Sequence, residues 1–366
     1  MRRPVLITLF LVLGVILYAS RLDRNFDHVK NTKQISESEN KTTEAENMNI
    51  NTWVVSKLKE LDNLLDEMRS MKQLLSKVNA VNVRSTDTSK NHSDDDKLTF
   101  YPADTVQEAT SNPLLKNDCV PLRIPGTSLT TPICIYDTRE DRWVSGSLRG
   151  FGSWEWEIMV KMSTFLTPDT VLLDVGCNIG VFTLMAAKMG HRVVSVDPFK
   201  KNLFLLARSL TLGHLQGNVT LINNAIGDKV EKISLQEEKG NVGGTQVIPI
   251  PSEGTIEEDY TAWAVTLDHL TPLLANQTVV MKMDIESYEW NALKSGYTFF
   301  KNVRVKCIFM EWTFHRVNSV SALGIINFMT TFNFEPFSVQ NQRLDIGAFT
   351  NWPGDILWLS KSMSKI

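Results

Sequence analysis

Apolar and polar positions along this 366-residue chain fall into three regimes. An uncharged run from Pro4 to Ala19 comes first, with Arg2 and Arg3 before it and Arg21, Asp23 and Arg24 after it. Residues 21–52 are rich in Asn, Lys, Glu, Ser and Thr and hold too little apolar surface to fold alone. Val54, Leu61, Leu64, Met68, Met71, Leu75 and Val78 then recur at a and d positions of a heptad, interrupted by Lys57, which predicts a helix over 54–78. That helix has two readings: a coiled coil that makes a homo-oligomer, or an amphipathic helix folded back on the rest of the chain. The polar stretches isolating it on both sides favour self-association. After a further polar stretch to residue 100, short apolar runs alternate with helical patterns, the signature of an α/β fold with a largely parallel sheet.

In this third region, strands are predicted near 171–175, 193–197, 219–223, 279–284 and 303–311, after a helix around 154–165. Phe334–Val339 and Asp355–Leu359 have no helix between them and should form an antiparallel pair at one sheet edge. Residues 236–262, polar and carrying Gly240, Gly243, Gly244 and Gly254, read as an insertion covering the site. The expected organisation is a tail and membrane segment over 1–20, a polar stem over 21–100, and a globular domain over 101–366 with its cofactor core at 165–315.

The most informative stretch is Val171 to Gly180. Val171, Leu172 and Leu173 read as a buried strand ending at Asp174, and a loop through Gly176, Asn178 and Gly180 opens the helical pattern Val181 to Met189. Strand, glycine loop and helix bring backbone N–H groups to a nucleotide-like ligand. The next strand, Arg192 to Val196, ends at Asp197, an acidic residue about twenty positions on and suited to ribose hydroxyls. Asn178 stands where a dinucleotide fingerprint has glycine, which disfavours a pyrophosphate. A ribose-bearing donor without pyrophosphate fits better, and that points to S-adenosylmethionine. A βαβ turn with no ligand is the plainer alternative.

Asp174-Val175-Gly176-Cys177-Asn178-Ile179-Gly180 resembles the first motif of class I, Rossmann-like S-adenosylmethionine methyltransferases in their FkbM-type form. Asn224-Ala225-Ile226-Gly227-Asp228, Thr266-Leu267-Asp268-His269-Leu270, Lys282-Met283-Asp284-Ile285-Glu286, Glu289, Gly296 and Phe309-Met310-Glu311 match it further in order. Ser287 departs from the pattern where glycine is usual. The resemblance spans about residues 130 to 360. It implies S-adenosylmethionine as cofactor, with Asp174, Gly176, Asn178 and Gly180 around its methionine end, Asp197 on the ribose, and Asn224 and Asp228 near the adenine. It also puts Asp284 and Glu286 on the acceptor side, Asp284 as first choice for proton acceptor or orienting group and Glu286 as second. Both could instead cap the helix beginning near Ser287. Glu311 with His315 is a lesser candidate pair, and Trp154, Trp156 and Trp312 could offer flat faces to a sugar ring, although buried tryptophan is the commoner reason for such residues.

A net charge of −3 with 22% charged residues gives no basic field for nucleic acid. The four cysteines, Cys119, Cys134, Cys177 and Cys307, form no paired C-x-x-C that would suggest a metal. Cys119 and Cys134 flank a turn and could form a disulfide in an oxidising compartment, or remain two thiols. Pro4–Ala19 reads as a cleavable signal or an uncleaved anchor. Cutting after Ala19 leaves Leu17, and cutting after Ser20 leaves Tyr18, at a position that wants a small residue. An anchor is therefore preferred, as a single-pass type II Golgi membrane protein with a luminal catalytic domain. Asn40 and Asn91 begin the sequons best placed for glycosylation. The function expected is O-methylation of a hydroxyl on a glycan or small molecule. The alternatives are an inactive binding protein that kept the fold and a nicotinamide-dependent oxidoreductase.

Overall fold

The computed structural model describes residues 97–103, 118–250 and 257–362. The run 4–19, most of the stem and the heptad segment 54–78 lie outside the described residues. Among the described residues no helix is long and apolar enough to cross a membrane.

The chain enters through β1 (Phe100–Tyr101), a hairpin of β2 (Cys119–Arg123) and β3 (Thr130–Cys134), and helices α1 (Val144–Phe151) and α2 (Trp156–Ser163). Then follow β4 (Thr170–Val175), α3 (Val181–Lys188), β5 (Arg192–Val196), α4 (Lys200–Gly213) and β6 (Val219–Ile222). Four further strands come next: β7 (Asn224–Gly227), β8 (Glu231–Glu238), β9 (Asn241–Ile248) and β10 (Thr261–Thr266). The chain ends through α5 (Thr271–Leu274), β11 (Thr278–Met283), α6 (Glu289–Lys294), α7 (Tyr297–Asn302), β12 (Arg304–Glu311), α8 (Ser319–Thr331), β13 (Phe334–Ser338) and β14 (Asp355–Ser360).

Eight strands form one sheet in the order β1-β6-β5-β4-β11-β12-β14-β13. The five central strands, β6, β5, β4, β11 and β12, are parallel, whereas β14 runs antiparallel to both β12 and β13. The expected parallel sheet and late antiparallel pair are both present. Apolar residues on successive positions fill opposite faces: Leu172 and Val193 pack with α3 and α4, while Val171, Leu173, Val194 and Val196 pack on the other side with α6 and α8. From β4 the chain steps outward to β5 and β6, then returns to lay β11 on the other flank of β4. Such a reversal opens a crevice beyond the carboxyl ends of β4 and β11.

Within residues 236–262, expected as an insertion covering the site, lie β9 and the ends of β8 and β10, in a second sheet ordered β7-β10-β8-β9. At the end of the segment expected as stem, Thr99 N–H donates to Asn224 Oδ1 at 2.8 Å and its carbonyl accepts from Asn223 N–H at 2.7 Å.

Cys119 and Cys134 sit opposite one another in the β2–β3 hairpin and are joined as a disulfide, while Cys177 and Cys307 are buried free thiols. The hairpin is held to α4 by Cys134 N–H donating to Ser209 Oγ at 2.8 Å. Replacing both Cys119 and Cys134 with serine should lower stability by about 3 kcal/mol, the loop-closure value for about 15 intervening residues. Urea unfolding of the double variant measures this. Non-reducing peptide mapping should recover Cys119 and Cys134 linked, with Cys177 and Cys307 alkylated only after unfolding.

Candidate functional site

Three strand ends are stitched together by backbone bonds. Gly176 and Cys177 N–H groups donate to Val196 O, Asp284 N–H donates to Val175 O at 3.0 Å, and Asn178 N–H donates to Asp197 Oδ2 at 2.8 Å. Gly176 has φ +80°, and a Cβ built there would stand 1.8 Å from the Asp284 carbonyl oxygen. Only glycine allows the β4 and β11 loops to approach this closely. Asn178, at φ +49°, takes the left-handed conformation expected of it.

Two adjoining cavities flank this junction, and Gly176, Asn178, Gly243, Asp284 and Glu286 line both. The first, about 230 Å³, is bounded by Trp143, Trp154, Glu155, Lys282, Glu311 and Asp355 as well. The second runs past Val196, Asp197, Phe199, Asn202, Ala225 and Ile226 toward the end of β6.

Of the residues expected at the cofactor, Gly176, Asn178 and Asp197 face the cavities. Asp197 Oδ1 accepts from Phe199 N–H and Asn202 Nδ2, so its carboxylate also organises the loop; Oδ2 accepts a single bond and keeps a lone pair for a ligand. Burial pushes its carboxyl up to about 6. Asp174 lies beneath the loop, fully buried, with Oδ2 accepting from Thr183 Oγ1 at 2.6 Å and Oδ1 unpaired. Gly180 serves packing: a Cβ there would lie 2.2 Å from Leu206 Cδ1 of α4. The Asn224 side chain is turned away from any adenine, tying Thr99 N–H, Lys97 O and Trp263 O, although its residue lines the second cavity. Asp228 is outside both linings and pairs with Lys294 at 2.8 Å.

Both residues expected on the acceptor side, Asp284 and Glu286, line the first cavity. Lys282 Nζ, 8% exposed, donates to Asp284 Oδ2 at 2.6 Å and lies 3.8 Å from Glu155 Oε2. Burial alone would lower the Lys282 ammonium, but Asp284, Glu155 and Asp174 hold it above the ordinary lysine range. Burial and the Asp284, Glu289 and Glu238 charges raise Glu286 to about 7. Burial, then Asp284, Glu286 and Glu289, push Glu311 well above the usual carboxylate range. One oxygen from each of Asp284, Glu286 and Glu311 lies within 4.8 Å of the others, a spacing at which carboxylates share a proton or hold a cation.

Glu155 was not anticipated from the sequence. It stands at φ +46° just before α2, and its Oε2 and that of Glu311 are buried without a hydrogen-bond partner. Burial raises its carboxyl to about 7, with Lys282 offsetting part of the effect. An acidic residue between Trp154 and Trp156 is the available signal, but its partner Lys282 is remote in sequence. Of the tryptophans, Trp154 lines the cavity, Trp156 sits under Arg123 at 4.7 Å, and Trp312 is fully buried. Trp143, 62% exposed, is the second aromatic at the mouth. Ser287 has φ +76° beside Glu286 at φ +53°, so the serine adopts the shape that glycine supplies more easily.

Residues 174–336 match the family model of the methyltransferase FkbM domain. No curated protein matches the chain. Among solved structures it is similar to an FkbM methyltransferase from Methylobacillus flagellatus KT at 15% identity and TM-score 0.34, covering 61% of this chain and 62% of that one. It is also similar to a TehB-like SAM-dependent methyltransferase from Corynebacterium glutamicum at 11% identity and TM-score 0.35, covering 60% and 95%. A SAM-dependent O-methyltransferase from Thermotoga maritima gives 8% identity and TM-score 0.33, covering 67% and 77%. The sheet order and the domain match together define a class I methyltransferase-like α/β fold. The domain match supports S-adenosylmethionine as the cofactor.

The residues present fit that cofactor. The second cavity gives apolar walls and Asp197 for a nucleoside, while Glu155 Oε2, in the wall of the first, is a buried acceptor without a hydrogen-bond partner that an ammonium group could use. Gly243 completes the cradle, since a Cβ there would stand 2.9 Å from Asn178 Nδ2.

Lys282→Met should destabilise the fold by about 3–5 kcal/mol near neutral pH, because it strands buried carboxylates without their counter-charge. The deficit should shrink as pH falls through about 7. A group whose folded pKa is raised to that range binds its proton there and stops opposing burial, as Glu155 does; burial raises Asp174 in the same direction. Urea unfolding of both proteins across this range gives the answer.

Proposed function

We propose that this protein is an S-adenosylmethionine-dependent methyltransferase that acts on a hydroxyl oxygen of a glycan or small molecule in the secretory lumen. The observation that carries the reading is the shared wall: the glycine loop after β4 and the Asp284–Glu286 loop after β11 bound both cavities. When bound, S-adenosylmethionine supplies an electrophilic methyl group. Glu286 is the group suited to take the hydroxyl proton, since its carboxyl sits near 7 and can change hands with a proton at physiological pH. Asp284, the first choice from sequence, has one oxygen engaged by Lys282 and is better suited to orient the acceptor. Alignment of the two reactants in the cavity contributes much of the remaining acceleration.

The acceptor class is supported by the chemistry of the first cavity. Its carboxylates outnumber the single Lys282 ammonium, which disfavours anionic acceptors, and Trp143 and Trp154 offer the flat faces on which sugar rings settle. The luminal placement, with the chain as a single-pass type II Golgi protein, rests on Arg2-Arg3 before the uncharged run and is supported by the Cys119–Cys134 disulfide. Self-association through residues 54–78 remains part of the same proposal.

Titration calorimetry should show S-adenosylhomocysteine binding and no comparable binding of NAD; the reverse preference ends the cofactor reading. Labelled methyl should pass from S-adenosylmethionine to a glycan pool, and binding without any transfer would mark a protein that kept the fold alone. Glu286→Gln should retain S-adenosylhomocysteine binding within about threefold while lowering kcat by about 100-fold or more, the usual worth of general-base catalysis. Because the base form of Glu286 accumulates above its raised pKa, kcat/KM should rise with pH through about 7 and then level off. A profile flat across that region removes Glu286 as the base.

A further inference from the structure

Behind the acceptor cavity, three buried polar side chains form a relay that the proposed chemistry does not use. Glu289, the first residue of α6, is fully buried; its Oε1 accepts from Ile285 N–H at 2.9 Å and its Oε2 accepts from His315 Nε2 at 2.8 Å. His315, 1% exposed, follows the end of β12 and has Nδ1 at 2.8 Å from Ser321 Oγ of α8. Ser321 is itself fixed by Asn318, whose Oδ1 accepts from Ser321 N–H and whose carbonyl accepts from Ser321 Oγ. The order Ser, His, Glu is that of a hydrolytic triad. Ser321 is buried and lines neither cavity, however, so it is not placed as a nucleophile there.

The relay grips the turn that presents Glu286. Ile285 is followed by two residues in left-handed conformation, Glu286 at φ +53° and Ser287 at φ +76°. Such conformations cost about 1–2 kcal/mol per non-glycine residue, so the surroundings must hold them. The Glu289 bond to Ile285 N–H spans this turn from its far side, and His315 holds the second oxygen of the same carboxylate. His315 thereby connects the loop carrying Asp284 and Glu286 to the segment just after Glu311. Its ring also packs against Trp312, with centroids 5.1 Å apart.

We propose that His315 is a positioning residue: through Glu289 and the Ile285 N–H it holds Glu286 in the acceptor cavity and so governs a base it does not touch. The inference rests on the methyltransferase reading above. The groups around Glu286 are Lys282 and Asp284 from β11 and its loop, Glu289 from α6, Glu311 from β12 and Glu238 from β8. A loosened turn would move Glu286 away from these and into water.

The test compares wild type, His315→Ala, His315→Gln and Ser321→Ala in the full chain. In His315→Ala, Ile285 amide hydrogen exchange should accelerate by about tenfold or more, a readout independent of activity. The kcat should fall about tenfold while S-adenosylhomocysteine affinity stays within about twofold, the split that separates a lost catalytic geometry from lost binding. The acid limb of the rate profile should move below about 7 by about one unit as Glu286 becomes solvated. His315→Gln, whose amide can still donate to Glu289, should restore most of each change. If His315→Ala fails to fold, Ser321→Ala should shift the exchange and the acid limb the same way by a smaller amount. Unchanged Ile285 exchange, an unchanged acid limb, or parallel losses of binding and rate would overturn the role of His315. Failure of the wild type to bind S-adenosylhomocysteine would instead overturn the methyltransferase reading, while Ile285 exchange would still report on the relay.

Discussion

One ammonium, Lys282 Nζ, sits among carboxylates delivered by three separate elements: Asp174 from β4, Asp284 from the end of β11, and Glu155 from the start of α2. Removing several such charges from water is tolerable only when they compensate one another. The requirement explains much of the architecture around it. β4 and β11 are adjacent parallel strands with Asp174 paired to Lys282 in register, so the sheet itself places the cation beside its first acid. Gly176 then lets the two strand ends touch, and Glu155 is brought in from outside the sheet by a left-handed residue at the mouth of α2.

Compensation is uneven, and the unevenness separates roles among similar side chains. Asp284 is in direct contact with Lys282, whereas Glu286 and Glu311 stand one step further away and feel the other carboxylates more strongly. The same cavity therefore contains an anchored carboxylate and two that hold protons readily. Burial is the leading cause of both upward shifts, so the dryness of the crevice matters as much as the count of charges. β9 contributes to that dryness: Gly243 packs its backbone against Asn178 and closes the trough from above.

The central strands were legible in the sequence because a parallel strand buried on both faces is a nearly continuous apolar run, as in Val171–Leu173 and, interrupted by Ser195 alone, Val193–Val196. The edge pair β13 and β14 was legible because no helical pattern separates them. The second sheet was not. β8 and β9 are rich in polar residues, and β9 carries Gly243 and Gly244 where the trough must close, so their composition imitates a loop. Within the site, Gly176, Asn178, Asp197, Asp284 and Glu286 could be read from local order, since each stands at a strand end. Asn224 and Asp228 stand at such an end too, yet their side chains bond Lys97, Thr99, Trp263 and Lys294, partners that strand order cannot reveal. Glu155 was hidden for the same reason, and His315, read from the sequence as a lesser partner of Glu311, pairs instead with Glu289, which the fold brings near.

Ser287 shows how these levels meet. Glycine is usual at this position in the FkbM-type pattern, and the backbone angle here explains the preference, because φ +76° suits a residue without Cβ. Serine keeps the angle at some cost, so the turn must be held by bonds outside itself. Tyr288 N–H donates back to Ile285 O at 3.2 Å, and Glu289 holds the Ile285 N–H. Glu289 in turn is a buried carboxylate that needs a donor on its other oxygen, which His315 supplies. A strained turn, a buried acid and a buried histidine are thus three parts of one arrangement. It carries the rigidity of the β12–α8 segment to the carboxylate at the centre of the acceptor cavity.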